Sequence, residues 1–143
     1  MTDDARFQAG LQMRRKVLGD AHVERSLAKA TEFGKPIQEL VTEYCWGEVW
    51  TRPGLSPRDR SLLNLGMLAA LNRGEELKLH VRGALNNGCS PEEIQEALLQ
   101  VAIYCGVPAA LTGFRIAEAV VEEVERERAG DDRPASGVGT PEP

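Results

Sequence analysis

An all-α fold, a helical bundle of about six to seven helices, is the class this sequence predicts, and three observations carry it. Helix-capping signals recur along the chain, apolar residues fall at three- and four-residue spacing, and little in between reads as strand. At 143 residues the chain is the size of one domain with a single core. We therefore expect residues 1–128 to form the helical domain. Residues 129–143, rich in Pro, Gly and acids without an apolar anchor, are expected to form a disordered polar tail.

The elements follow in order. Residues 4–18 predict a polar-faced helix ended by Gly19, and Asp20 is placed to cap a second helix running to about Thr31. Pro36 suits a first helical position, and Ile37, Leu40, Val41, Tyr44 and Cys45 then mark one apolar face up to Trp50. Thr51-Arg52-Pro53-Gly54 stops that helix. Ser56-Pro57-Arg58-Asp59 and Ser90-Pro91-Glu92-Glu93 each read as a capping box, with serine as cap, proline in the first turn and an acid closing the box. After Ser56, the residues Leu62, Leu63, Leu65, Met67, Leu68 and Leu71 surround most of the helix, which predicts cover from several sides, including neighbouring subunits. After Ser90, by contrast, Ile94, Ala97, Leu98, Val101, Ala102 and Cys105 trace one stripe and leave one side wet. Glu75 to Asn87 predicts a shorter helix between these two, and Pro108 to Arg128 a long last one.

Composition excludes several function classes. Seventeen basic against 22 acidic residues leave a net charge of −5, a field that opposes nucleic acid and anionic membrane surfaces. The sequence has neither a bilayer-spanning apolar run nor a leader-like start, so a cytoplasmic protein is expected. Three widely spaced cysteines, Cys45, Cys89 and Cys105, support neither a disulfide framework nor a metal site and read as buried, inert thiols. No nucleophile elbow, phosphate loop, dinucleotide fingerprint or zinc-protease motif is present.

Of the two histidines, His80 draws attention because Glu76 lies one turn before it and Arg73 near the start of the same helix. A carboxylate at that spacing would favour a protonated imidazole, making His80 a candidate proton donor; equally, it fits a boundary histidine paired with a surface glutamate. His22 has no evident partner and reads as solvated. The run Tyr44-Cys45-Trp46-Gly47-Glu48-Val49-Trp50-Thr51-Arg52-Pro53 concentrates rings and charge at a helix end, suited either to lining a pocket or to packing the bundle. Tyr104, Gly106 and Pro108 mark the break before the last helix.

Several of these runs, in this order, resemble the carboxymuconolactone decarboxylase family: Arg14-Arg15-Lys16-Val17-Leu18-Gly19, the Tyr44–Leu55 run, Leu71 to His80, Ala84-Leu85-Asn86-Asn87-Gly88 and Ala102 to Ala110. The likeness spans nearly everything between residues 14 and 125. It implies an alkylhydroperoxidase D-like helical bundle that assembles as a homo-oligomer, a trimer or hexamer. It also implies cofactor-free decarboxylation of 4-carboxymuconolactone, a lactone dicarboxylate, to 3-oxoadipate enol-lactone in protocatechuate breakdown. No metal is implied. Conjugation explains why no cofactor is needed: electrons left by the departing carboxylate flow through the double bond into the lactone carbonyl, and a proton then reaches the carbon beside it.

On that resemblance His80 and Glu76 are the candidate catalytic pair. Arg52, Arg60, Arg73, Trp46, Glu48 and Tyr104 are the candidate substrate-binding residues, the arginines holding carboxylates and Trp46 an apolar wall. Redox relatives in peroxide defence use C-x-x-C-x-x-x-H; aligned on His80, this chain has Arg73 and Glu76 where those cysteines stand, which argues against dithiol chemistry. A peroxide-defence redox protein and a non-enzymatic oligomeric helical module are the alternatives.

Overall fold

The computed structural model describes residues 4–130, and every regular element among them is helical. In chain order these are α1 (Asp4–Leu18), α2 (Asp20–Lys29), α3 (Lys35–Leu40), α4 (Pro57–Ala70), α5 (Gly74–Asn86), α6 (Pro91–Cys105) and α7 (Val107–Arg128). α3 continues without a break into a π-helical segment, Val41–Val49. The expected tail lies outside the described residues from position 131 onward; α7 ends at Arg128.

The caps account for most boundaries. Ser90 accepts from the Glu93 amide at 3.1 Å while the Glu93 carboxylate accepts from the Ser90 amide at 3.0 Å, a complete capping box. At Ser56 only the first half forms, because the Asp59 carboxylate accepts from Arg58 at 3.1 Å instead. Arg58 also pairs with Glu93, tying the starts of α4 and α6 together. Asp20 does not cap α2: it is the first helical residue, and Gly19, with φ of 90°, makes the turn out of α1. α2 then stops at Lys29, short of Thr31. Gly106, with φ of 102°, turns α6 directly into α7.

α5 is central, packing on α1, α4 and α7, while α6 lies against α4 and α7. Two apolar clusters result. The larger joins Leu65 of α4, Leu77, Val81 and Ala84 of α5, Ile94, Leu98 and Val101 of α6, and Val120 of α7. The smaller joins Val17 and Leu18 of α1, Val23 of α2, Trp46 and Trp50, with Leu79 of α5 against it. His80 therefore follows a residue of the smaller cluster and precedes one of the larger.

The π-helical segment corrects the expected face of the third helix. Ile37 (54% exposed), Leu40 and Tyr44 point outward, and Cys45 is exposed; the buried residues are Thr42, Glu43, Trp46, Gly47 and Trp50. The Trp50 amide bonds to the Cys45 carbonyl, five residues back, at 3.0 Å, a π-type bond, and the face turned inward, Glu43, Trp46, Gly47 and Trp50, is the one whose glycine admits α1 closely. Two glycines let this segment approach α1: a Cβ on Gly10 would run into the Thr42 carbonyl oxygen and stand 2.8 Å from the Gly47 nitrogen. The cysteines are corrected as well, since only Cys89 is buried, while Cys45 and Cys105 are exposed free thiols.

Candidate active site

Trp46 and Trp50, one four-residue step apart in the π-helical stripe, are 3% and 5% exposed and stack on each other at 4.8 Å between ring centroids. Both stack on His80, Trp46 at 6.2 Å with planes 5° apart and Trp50 at 6.3 Å with planes 21° apart. The two readings of the tryptophans thus coincide: they pack the bundle and wall the histidine. Trp50 belongs with Trp46 although sequence reasoning put only Trp46 among the site residues.

Burial against these indoles decides the charge of His80. It pushes the imidazole below its ordinary value, and Glu76 pulls the other way without winning. The expectation that Glu76 would hold His80 protonated is therefore corrected. The physical reason is twofold: the ring is desolvated, and the Glu76 carboxylate already accepts from Arg73 at 2.5 Å, which holds it below its ordinary value. His80 Nδ1 is buried with no hydrogen-bond partner among the described residues. A polar atom in that state is costly and is normally met by some group. A ligand oxygen is one such group.

The remaining sequence candidates are distributed around this core. Arg73 is tied to Glu76. Arg52 reaches Glu48 at 3.9 Å, Glu48 also pairs with Arg6 at 3.4 Å, and Arg60 donates to the Arg52 carbonyl at 3.2 Å. Arg52, Glu48 and Arg60 are thus brought together just beyond the tryptophans. Tyr104 is not joined to them: it is 79% exposed near the end of α6, with no hydrogen bond, ion pair or ring contact to the other candidates.

Sequence reasoning missed Arg14. It lies on the buried stripe of α1 with Gly10, Val17 and Leu18, only 6% exposed, and donates to Thr42 Oγ1 at 3.2 Å. An arginine one turn after Gly10 and one before Leu18 on the face that meets the π-helical segment is the signal that would have found it. His22, set aside as solvated, is half-buried, 3.4 Å from the Ser26 hydroxyl, and held neutral by burial and by Arg14 and Arg25.

A cleft of about 880 Å³, open to solvent, lies between the start of α2, α5 and α7. It takes in Glu76 and Leu79 but not the His80 ring, and part of its charged wall is self-paired, Arg82 with Glu123 at 3.3 Å and with Glu127 at 2.7 Å. Desolvation and an unmet polar atom coincide instead at the His80–tryptophan cluster, which makes it the candidate site. Among the described residues no group of three or more His, Cys, Asp or Glu side chains could hold a metal ion, and no helix is long and apolar enough to cross a membrane.

Comparison with known proteins bears on the same segments. Residues 35–119, from α3 into α7, match the model of the carboxymuconolactone decarboxylase family. A 4-carboxymuconolactone decarboxylase of Acinetobacter baylyi is 40% identical over 124 residues, 87% of this chain and 92% of that protein. A nitrosuccinic acid decarboxylase of Metarhizium robertsii is 44% identical over 118 residues, 82% of each chain. The two relatives share a reaction type and differ in the acid named. With the family model spanning both tryptophans and His80, and with decarboxylases matching most of its length, the chain belongs to the carboxymuconolactone decarboxylase family and is a carboxy-lyase.

Proposed function

We propose that this chain decarboxylates 4-carboxymuconolactone to 3-oxoadipate enol-lactone and carbon dioxide, a step of protocatechuate breakdown. The observation that carries the reading is His80: a neutral imidazole stacked on two indoles, with an unmet buried nitrogen, in a chain 40% identical to an enzyme named for that reaction.

The chemistry follows from the neutral ring. As the ring carboxylate leaves, its bonding electron pair passes through the conjugated double bond to the lactone carbonyl oxygen. A neutral imidazole N–H hydrogen-bonds to that oxygen as charge builds there, and a proton that traces to solvent then completes the carbon beside the carbonyl. The indole wall keeps water from the departing carboxylate, so its charge is poorly solvated before it is lost. Arg52 and Arg60, beside Glu48, supply positive charge at the mouth of the site, and the Arg73–Glu76 pair fixes the start of α5.

Substrate identity is tested by measuring kcat/KM for the lactone and for nitrosuccinic acid side by side. The lactone is expected to be preferred by at least tenfold; a preference for nitrosuccinic acid would reassign the substrate while leaving the reaction type in place.

The same reading includes a homo-oligomer of trimeric or hexameric size. Leu63 and Met67 of α4, Leu71 just after it, and Ile103, Val107 and Leu111 around the α6–α7 turn, are large apolar side chains left exposed, more than a monomer of this size ordinarily shows to water. Light scattering on the purified protein should give three or six times the chain mass, and Met67→Glu should lower that mass. A monomer at micromolar concentration would refute this part.

A further inference from the structure

Among the described residues, Arg14 is a buried charge that no counter-ion neutralises. Arg14 is 94% buried by its 6% exposure, its Nε has no hydrogen-bond partner, and among the described residues no carboxylate pairs with it. Contrast Glu43, equally buried on the facing segment, which is met by Arg6 at 3.8 Å. The contact Arg14 does have, Thr42 Oγ1 at 3.2 Å, is a neutral hydroxyl whose own proton goes to the Gln38 carbonyl at 2.8 Å. A guanidinium taken out of water without a counter-ion is a large cost for a small domain to carry.

The ionisable groups that feel Arg14 do not offset it. The Cys45 thiol is pushed up by burial, against the pull of Arg14, and so stays uncharged; His22 is held neutral with Arg25 also beside it. The potential at this point is therefore positive and uncompensated. Val17, one turn after Arg14 on the same buried stripe of α1, belongs to one apolar cluster with Trp46 and Trp50, and both indoles stack on His80. Arg14 and His80 thus adjoin the same cluster.

We propose that Arg14, with the Thr42 hydroxyl beside it, is the anchor for the carboxylate that the substrate keeps through the reaction. This rests on the decarboxylase reading above. A group retained in the product needs a fixed cation, whereas the departing carboxylate is best left poorly solvated, and among the described arginines Arg14 is the one that combines burial with an unmet Nε. It is a binding residue, with planar donors suited to a carboxylate.

The test uses the full chain, succinate as probe, and the variants Arg14→Gln and Arg14→Lys. In the wild type, succinate is expected to raise the melting temperature and to compete with the lactone. In R14Q, KM for the lactone and the succinate inhibition constant should each rise 30-fold or more while kcat changes less than fivefold. The melting temperature without ligand should hold or increase, since an unneutralised charge has gone. R14K, which keeps charge and fold but loses the planar fork, should fall between. Unchanged succinate binding in R14Q or, should that variant not fold, in R14K would overturn the proposal, as would succinate that stabilises the wild type without competing with the lactone. If the lactone proves not to be a substrate, the thermal-shift arm still decides whether Arg14 binds a carboxylate, so failure of the two readings is distinguishable.

Discussion

Replacing His80 with alanine is expected to lower kcat by about 10²–10³-fold, the usual consequence of removing one donor to a developing oxyanion. The fold should persist, because loss of the ring leaves the apolar residues on either side, Leu79 and Val81, in place. Circular dichroism on the variant separates the two effects. The pH profile adds a check of charge state. With its folded value pushed below 6.5, His80 stays neutral through the neutral range, so kcat should be flat there and fall only as pH drops through the lowered value. Stability follows the same sign: an unfolded His80 takes up a proton near its ordinary value before the folded one does. The contribution is thus full above about 6.5 and is lost as pH falls through the folded value. A rate that instead rose steadily toward acid would mean that the imidazolium is the working form.

Gly10→Ala is expected to have the largest effect on stability of any single methyl addition in the chain. The added carbon would meet the Thr42 carbonyl oxygen and the Gly47 backbone, neither of which can rotate away as a side chain tip can. Forcing α1 off the π-helical segment should cost about 1–3 kcal/mol or more, enough to lower the melting temperature by several degrees. Turnover should fall with it, since the displaced segment carries Trp46 and Trp50, the wall of His80. Gly66→Ala, where a Cβ would meet nothing within 4 Å, is the matched control and should melt like the wild type or slightly above it. Equal melting temperatures for Gly10→Ala and the wild type would show that the close approach is not needed.

Much of the fold was legible because its signals are local. Two Ser-Pro starts and the glycine turns at Gly19 and Gly106 are read within a few residues, and the structure places helix boundaries within one or two positions of them. The π-helical winding was not legible: it depends on Gly10 and Gly47 meeting across 37 positions of sequence, a contact no local spacing announces. The same contact turns Thr42, Trp46 and Trp50 inward and leaves Ile37, Leu40 and Tyr44 outside. In the site, His80 and its Glu76 neighbour follow from helical spacing, but the protonation of the ring does not, because it is set by two indoles from another element and by Arg73 occupying the carboxylate. Arg14 was overlooked for a related reason. An arginine on a charged helix reads as solvated until the partner helix that buries it is known.

The most direct test of the central claim is a turnover experiment in D₂O with purified, chelator-treated protein and 4-carboxymuconolactone, reading carbon dioxide release together with the product by NMR. We predict one carbon dioxide per lactone consumed and one deuterium at the carbon beside the lactone carbonyl of the enol-lactone, with both signals strongly reduced in His80→Ala. A lactone that persists with active, folded protein, or wild-type and His80→Ala proteins that turn it over at the same rate, would contradict the account.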